Sequence, residues 1–98
     1  MVAYFDWETK DYVKIPIREQ VEVLVLSGDV SDEASGKSKL HAHVVVGKRD
    51  GSAHGGHLME AHVRPTLELI LTESPQHLVR RFDAGSGLSL IRVEGEGT

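Results

Sequence analysis

The chain has no cysteine, so neither a disulfide nor a thiolate metal ligand is available to it, which fits a reducing compartment. Aromatic residues make up only 5% of it. The cluster Tyr4, Phe5 and Trp7 lies among Asp6 and Glu8 rather than lysines, which suits a core or subunit-interface plug better than a base-stacking platform. No apolar run approaches the roughly 18 residues of a membrane helix, and MVAYFDWETK has neither the basic head nor the apolar stretch of a signal peptide. A soluble, cytoplasmic protein without membrane contact is expected. Positive charge is scarce too: 11 Lys and Arg against 15 Asp and Glu leave a formal net charge of -4. Nucleic-acid affinity comes largely from phosphate neutralisation, so this balance disfavours it. The densest cationic spots, Lys48-Arg49 and Arg80-Arg81, are short and read as solvated turns. With 98 residues the chain is expected to form a single domain, 1–98. A domain of that size buries only about 60 to 65% of its unfolded surface, so a metal or a partner subunit would add needed stability.

What the sequence does have is β-pattern. Tyr12 to Ile17 and Val21 to Ser27 are rich in β-branched residues and alternate. Gly28 to Ser38 reads as a polar link, with the preceding strand free to run on to Val30. Leu40 to Gly47 and His54 to Val63 form a hairpin that Arg64-Pro65 ends, since proline cannot donate to a ladder. Thr66 to Glu73 alternates again, with Leu67, Leu69 and Leu71 on one side. Ser74 to Gly87 is loop-like, with a helical turn as an option over Gln76 to Phe82. Leu88 to Val93 closes the set, and the GEGT tail should fray. The fold class expected is therefore β-dominated α+β: a curved, mostly antiparallel sheet or partly open barrel of six to seven strands with little helix. Exposed apolar strand faces in so small a domain favour a homo-oligomer.

The hairpin carries the chemistry. Five of the six histidines fall between His41 and His62. Alternation aims His41 and His43 at one face. If Arg49, Asp50 and Gly51 form the loop with glycine near the left-handed position, Lys48 faces Ser52 and the register runs out from there. His43 then lies opposite His57, and His41 is diagonal to His57 at about 7 to 8 Å, a span that imidazoles can close onto one ion. His54 has the wrong parity unless Gly55-Gly56 introduces a bulge, and His62 is a bystander. Three neutral nitrogens at His41, His43 and His57 suit zinc, with nickel, copper or iron as alternatives. A fourth, open position would hold a water whose pKa falls toward about 7. Glu60 and Glu68 are the nearest carboxylates in sequence that could support the site.

YFDWETKDYVKIPIREQVEVLVLSG, then LHAHVVVGKRDGSAHGGHL, then VRPTLELILTE, resemble the prokaryotic branch of the plants-and-prokaryotes-conserved (PPC) domain, from about Tyr4 to Phe82. The HAH, DG and GGH arrangement over Leu40 to Leu58 is the most specific part. The resemblance implies an α/β domain with a curved, mostly antiparallel sheet, a homotrimer, and zinc held by residues matching His41, His43 and His57. The strand, helix and Gly-rich strand that family members usually carry before the tyrosine-aromatic motif are absent. The chain is therefore expected to be N-terminally short, through a late start, trimming, or a shortened member whose exposed sheet other subunits must cover. Bacterial members are described as candidate DNA-binding proteins, which leaves DNA open as a partner. The plant relatives carry a separate Arg-Gly-Arg motif for the minor groove, and none occurs here.

Three functions compete on these residues. The first is a zinc-binding oligomerisation module. The second is a zinc-dependent hydrolase or lyase with its site between subunits. The third is a DNA-associated regulator whose basic face forms only on assembly.

Overall fold

The structure, a computed structural model, describes residues 1–73 and 79–92. Seven strands form one open sheet: β1 (Val2–Asp6), β2 (Asp11–Ile15), β3 (Glu22–Glu33), β4 (Ser38–Gly47), β5 (Ala53–Leu58), β6 (Val79–Asp83) and β7 (Leu88–Arg92). Their spatial order is β2-β1-β5-β4-β3-β6-β7, so the sheet does not close into a barrel. Every pairing is antiparallel except β3 with β6, which is parallel over Asp32↔Val79 and Glu33↔Arg80. The expected β-dominated, mostly antiparallel architecture is what forms, and the described residues contain no helix. None of them could therefore cross a membrane as a long apolar helix.

The centre of the sheet is built by two hairpins that share β4. Along β4 the even positions Ala42, Val44 and Val46 are buried. Val2 joins Val44 and Val46, and Ile17, Val21, Leu26 and Leu58 pack against them. The odd positions His41, His43 and Val45 take the opposite face, as pleating requires. At the β4–β5 turn, Gly51 N–H donates to Lys48 O (2.9 Å) and Lys48 N–H to Ser52 O (2.9 Å). Gly51 takes φ +86°, a left-handed conformation that glycine adopts without steric cost.

Gly28 to Ser38 is not a link. β3 runs unbroken from Glu22 to Glu33, and its turn is confined to residues 34–37. The reason is close approach: a Cβ on Gly28 would lie 2.2 Å from His41 O and 2.6 Å from Ala42 Cα. Glycine here lets two strands meet rather than turning the chain. Two of the polar residues that follow, Asp29 and Ser31, bind the buried Arg80 side chain, so their polarity marks a lined strand face rather than a loop. Near its start β3 also carries a bulge between Val23 and Val25.

Thr66 to Glu73 forms no strand, although its residues alternate. Ile70 is 97% exposed and Leu71 81%. Alternation specifies an apolar face, but a ladder also needs a neighbouring backbone with free donors and acceptors, and no strand among the described residues pairs here. The expected strand to Val63 likewise stops at Leu58. Beyond it the chain is held by the amino terminus: Met59 and Glu60 N–H donate to Met1 O (3.1 and 3.3 Å), and the Met1 ammonium donates to Glu60 O (2.8 Å). Val79–Asp83, expected in a loop or helical turn, is strand β6. The remainder of that helical-turn option, and the GEGT tail, lie outside the described residues. The aromatic cluster is not a core plug within this chain, for Tyr4 and Trp7 are 65% and 64% exposed. Those residues lie on and just after β1, a strand that the aromatic reading had hidden.

The sheet is thin, and little covers it. Its principal extents are 48 × 34 × 20 Å, and its radius of gyration is 15.5 Å, against about 13 Å for a compact domain of this length. The accessible surface of 8125 Å² exceeds the roughly 5,500 Å² of a compact monomer of this mass.

Candidate metal centre

The register of the β4–β5 hairpin is the one that the loop dictates: His43↔His57, Val44↔Gly56, Val45↔Gly55, Val46↔His54 and Gly47↔Ala53. No bulge interrupts it at Gly55-Gly56. Instead Gly56 admits β1, since a Cβ there would meet Ala3 O at 2.6 Å. That contact brings Ala3 opposite His57 and, one strand further, Tyr12 within reach.

Three imidazoles converge on this face. Ring centroids are 5.0 Å apart for His41 and His43, 4.8 Å for His41 and His57, and 5.5 Å for His43 and His57. One ring nitrogen from each residue lies within 4.8 Å of the other two. A tetrahedral zinc with Zn–N near 2.0–2.1 Å needs nitrogens roughly 3.3 Å apart. His43 is exposed, while His41 and His57 are half-buried. The ring of Tyr12 packs on His57 at 4.9 Å, and Phe5 packs edge-on against Tyr12 at 5.2 Å. These contacts give the third ring a wall.

The electrostatics favour the neutral form of His41 and His57. Burial, then the Arg80 guanidinium and His43, hold His41 below the ordinary imidazole value, with Asp29 pulling the other way. His57 is lowered by burial first, then by His41 and His43. A neutral imidazole is the form that ligates.

His54 lies opposite Val46, away from the cluster, with Nε2 3.2 Å from Ser52 Oγ. His62 pairs with Glu60 at 3.2 Å. Glu60 and Glu68 line a cavity with Val2, Val44 and Val46 on the core face, so neither supports the imidazoles. The carboxylate on the histidine face is Asp29, directly across the β3–β4 ladder from His41. Sequence reading missed it together with Arg80, which is 7% exposed and makes a 2.9 Å ion pair with Asp29. Arg80-Arg81 had looked like a solvated turn. The signal that was available is parity: Ser27, Asp29 and Ser31 alternate with apolar Leu26 and Val30, as one polar-lined strand face would.

The Plants and Prokaryotes Conserved (PCC) domain model matches residues 1–75. Among solved structures, the chain is similar to a plant- and prokaryote-conserved (PPC) protein of Pyrococcus horikoshii at 28% identity and TM-score 0.76, covering 94% of this chain and 63% of that one. It is similar to a candidate DNA-binding protein of Ralstonia eutropha JMP134 at 25% identity and TM-score 0.78, with the same coverages of 94% and 63%. A third, a candidate DNA-binding protein of Bacteroides thetaiotaomicron, gives 27% identity and TM-score 0.74, covering 93% of this chain and 63% of that one. This chain thus spans less than two thirds of the length of these relatives. No curated protein matches it.

Proposed function

The chain belongs to the Plants and Prokaryotes Conserved (PCC) domain family, and from that premise we propose that it is a metal-binding, self-associating module in which His41, His43 and His57 hold zinc. The observation that carries this reading is the convergence of three ring nitrogens within 4.8 Å from two strands in fixed register. The donor set is all nitrogen, which suits zinc and leaves a position for a further ligand. The two glutamates that a hydrolase or lyase could have recruited lie on the other face of the sheet, and this favours the module over the enzyme.

The surface supports self-association. Val25 and Val45 are exposed on the histidine face, Val23 is exposed on the core face opposite Val46, and Leu69, Ile70 and Leu71 are exposed beyond β5. Apolar area of that kind is covered in stable proteins. A homotrimer is the assembly that the family resemblance implies.

Metal content by mass spectrometry of purified protein, read together with the native mass of the assembly, tests both halves. One zinc per chain in a trimer is expected, with His43→Ala losing the metal. A wild-type chain that takes up no divalent metal from excess zinc would remove the reading.

DNA association is a second reading, supported by the names given to the Ralstonia and Bacteroides relatives. It predicts an affinity for duplex DNA that falls steeply with salt. No binding at about 50 mM salt would dismiss it.

A further inference from the structure

Arg80 spends every branch of its guanidinium inside the protein. Nε donates to Ser31 Oγ (3.1 Å), Nη1 to Ser89 O (2.9 Å) and Nη2 to Asp29 Oδ2 (2.9 Å). Nη2 also lies 3.2 Å from His41 Nδ1. A guanidinium has only donors, so Nδ1 is the acceptor, and a neutral His41 carries its proton on Nε2. In that arrangement neither ring nitrogen has a lone pair to offer. His41 must change partners before it can ligate.

Asp29 can serve as the new partner. Asp29 is paired with His41 across the β3–β4 ladder and shares Arg80 Nη2 with its ring. The second carboxylate oxygen, Oδ1, is buried without a hydrogen-bond partner among the described residues. A buried acceptor left unmet is costly, and a ring N–H beside it would meet the need.

We propose that Asp29, aligned by Arg80, is a positioning residue for His41: when zinc takes the Nε2 lone pair, the ring proton resides on Nδ1 and is donated to Asp29 Oδ1. The proton lost from Nε2 is balanced by the one gained at Nδ1, so the imidazole stays neutral. Arg80, anchored on Ser31 and Ser89, draws Nη2 away from the ring and keeps its hold on Asp29 Oδ2. Metal-bound histidines usually donate their other N–H to a carboxylate or carbonyl, and losing that acceptor weakens metal binding by about 10- to 100-fold. The inference rests on the zinc reading above. It extends that site to β3 and β6, two strands that supply no ligand.

The test uses the wild-type chain with ¹⁵N-labelled histidine, together with two variants. Long-range ¹H–¹⁵N spectra should show His41 protonated on Nε2 without zinc and on Nδ1 with it. Competition against a chromophoric chelator should show zinc affinity falling about 10- to 100-fold in Asp29→Asn. If Asp29→Asn fails to fold, the charge-free double variant Asp29→Leu/Arg80→Met removes the acceptor without stranding Arg80, and it should show the same loss. An unchanged tautomer on zinc addition, or wild-type affinity in whichever variant folds, overturns the proposal. His43→Ala leaves Asp29 and Arg80 intact and separates the two ideas. Loss of zinc there with full affinity in Asp29→Asn removes Asp29's role alone, whereas absence of zinc from wild type removes the metal reading with it.

Discussion

His43 stands directly across the β4–β5 ladder from His57, while His54, on the same strand as His57, stands across from Val46. The difference is one of parity, and it divides three histidines of one hairpin into two that meet and one that cannot. His57→Ala should therefore abolish zinc retention, and His54→Ala should leave it within about twofold of wild type, since surface changes away from a site usually do little. Equilibrium dialysis of the two variants decides it. Equal losses would contradict the assignment.

Acid should weaken the metal-free fold. His41 and His57 both titrate below the ordinary value of 6.5, burial being the first cause for each. Below pH 6.5 the unfolded chain then binds more protons than the folded one, so stability falls with falling pH. The contribution from neutral rings is whole above pH 6.5 and is lost as pH drops through it toward the folded values. Urea midpoints of chelator-treated protein at pH 7 and pH 5.5 check the sign. The midpoint should be lower at pH 5.5, after allowance for carboxylate effects from a His41→Ala/His57→Ala reference.

Gly28→Ala should be among the most damaging single substitutions in the chain. The added methyl would stand 2.2 Å from His41 O and 2.6 Å from Ala42 Cα, both backbone, so the strands themselves would have to part. A loss of about 3 kcal/mol or more is expected, as for other overpacked sites. Thermal melts give the stability. Loss of zinc binding in the same variant would show that the β3–β4 approach holds His41 in place.

Arg80→Met should destabilise the fold by about 3 kcal/mol, because it leaves Asp29 without its charged partner. Asp29 retains some solvent access, which puts the effect at the lower end of the range for buried pairs. Restoring most of that stability by adding Asp29→Leu would identify the stranded carboxylate as the cause. A denaturant series across the double-mutant cycle measures it.

What could be read from residue order is what short-range geometry decides. Arg49, Asp50 and Gly51 fix a loop, the loop fixes the register, and the register places His43 against His57. What could not be read depends on partners far away in the chain. Arg80 looks like surface charge until β6 is laid parallel to β3, and only then do Asp29 and Ser31 become the lining of its site. Gly28 looks like a turn until Ala42 is placed against it. Thr66 to Glu73 shows the opposite failure, for its alternation is real but no strand among the described residues pairs with it. The Tyr12 to Ile17 run is legible as the strand β2, whereas β1 is not, because Val2, Ala3, Tyr4 and Phe5 are apolar or aromatic throughout and show no alternation.

Among the described residues the β6–β7 hairpin is joined to β3 by two ladder pairs, Asp32↔Val79 and Glu33↔Arg80, and by the bonds of Arg80 to Asp29 and Ser31. So short a seam opens at a smaller free energy than the β3–β4 ladder, and its amides should exchange with deuterium through fluctuations that leave the central strands closed. Because Arg80 travels with that seam, each such opening also parts its guanidinium from Asp29 and His41.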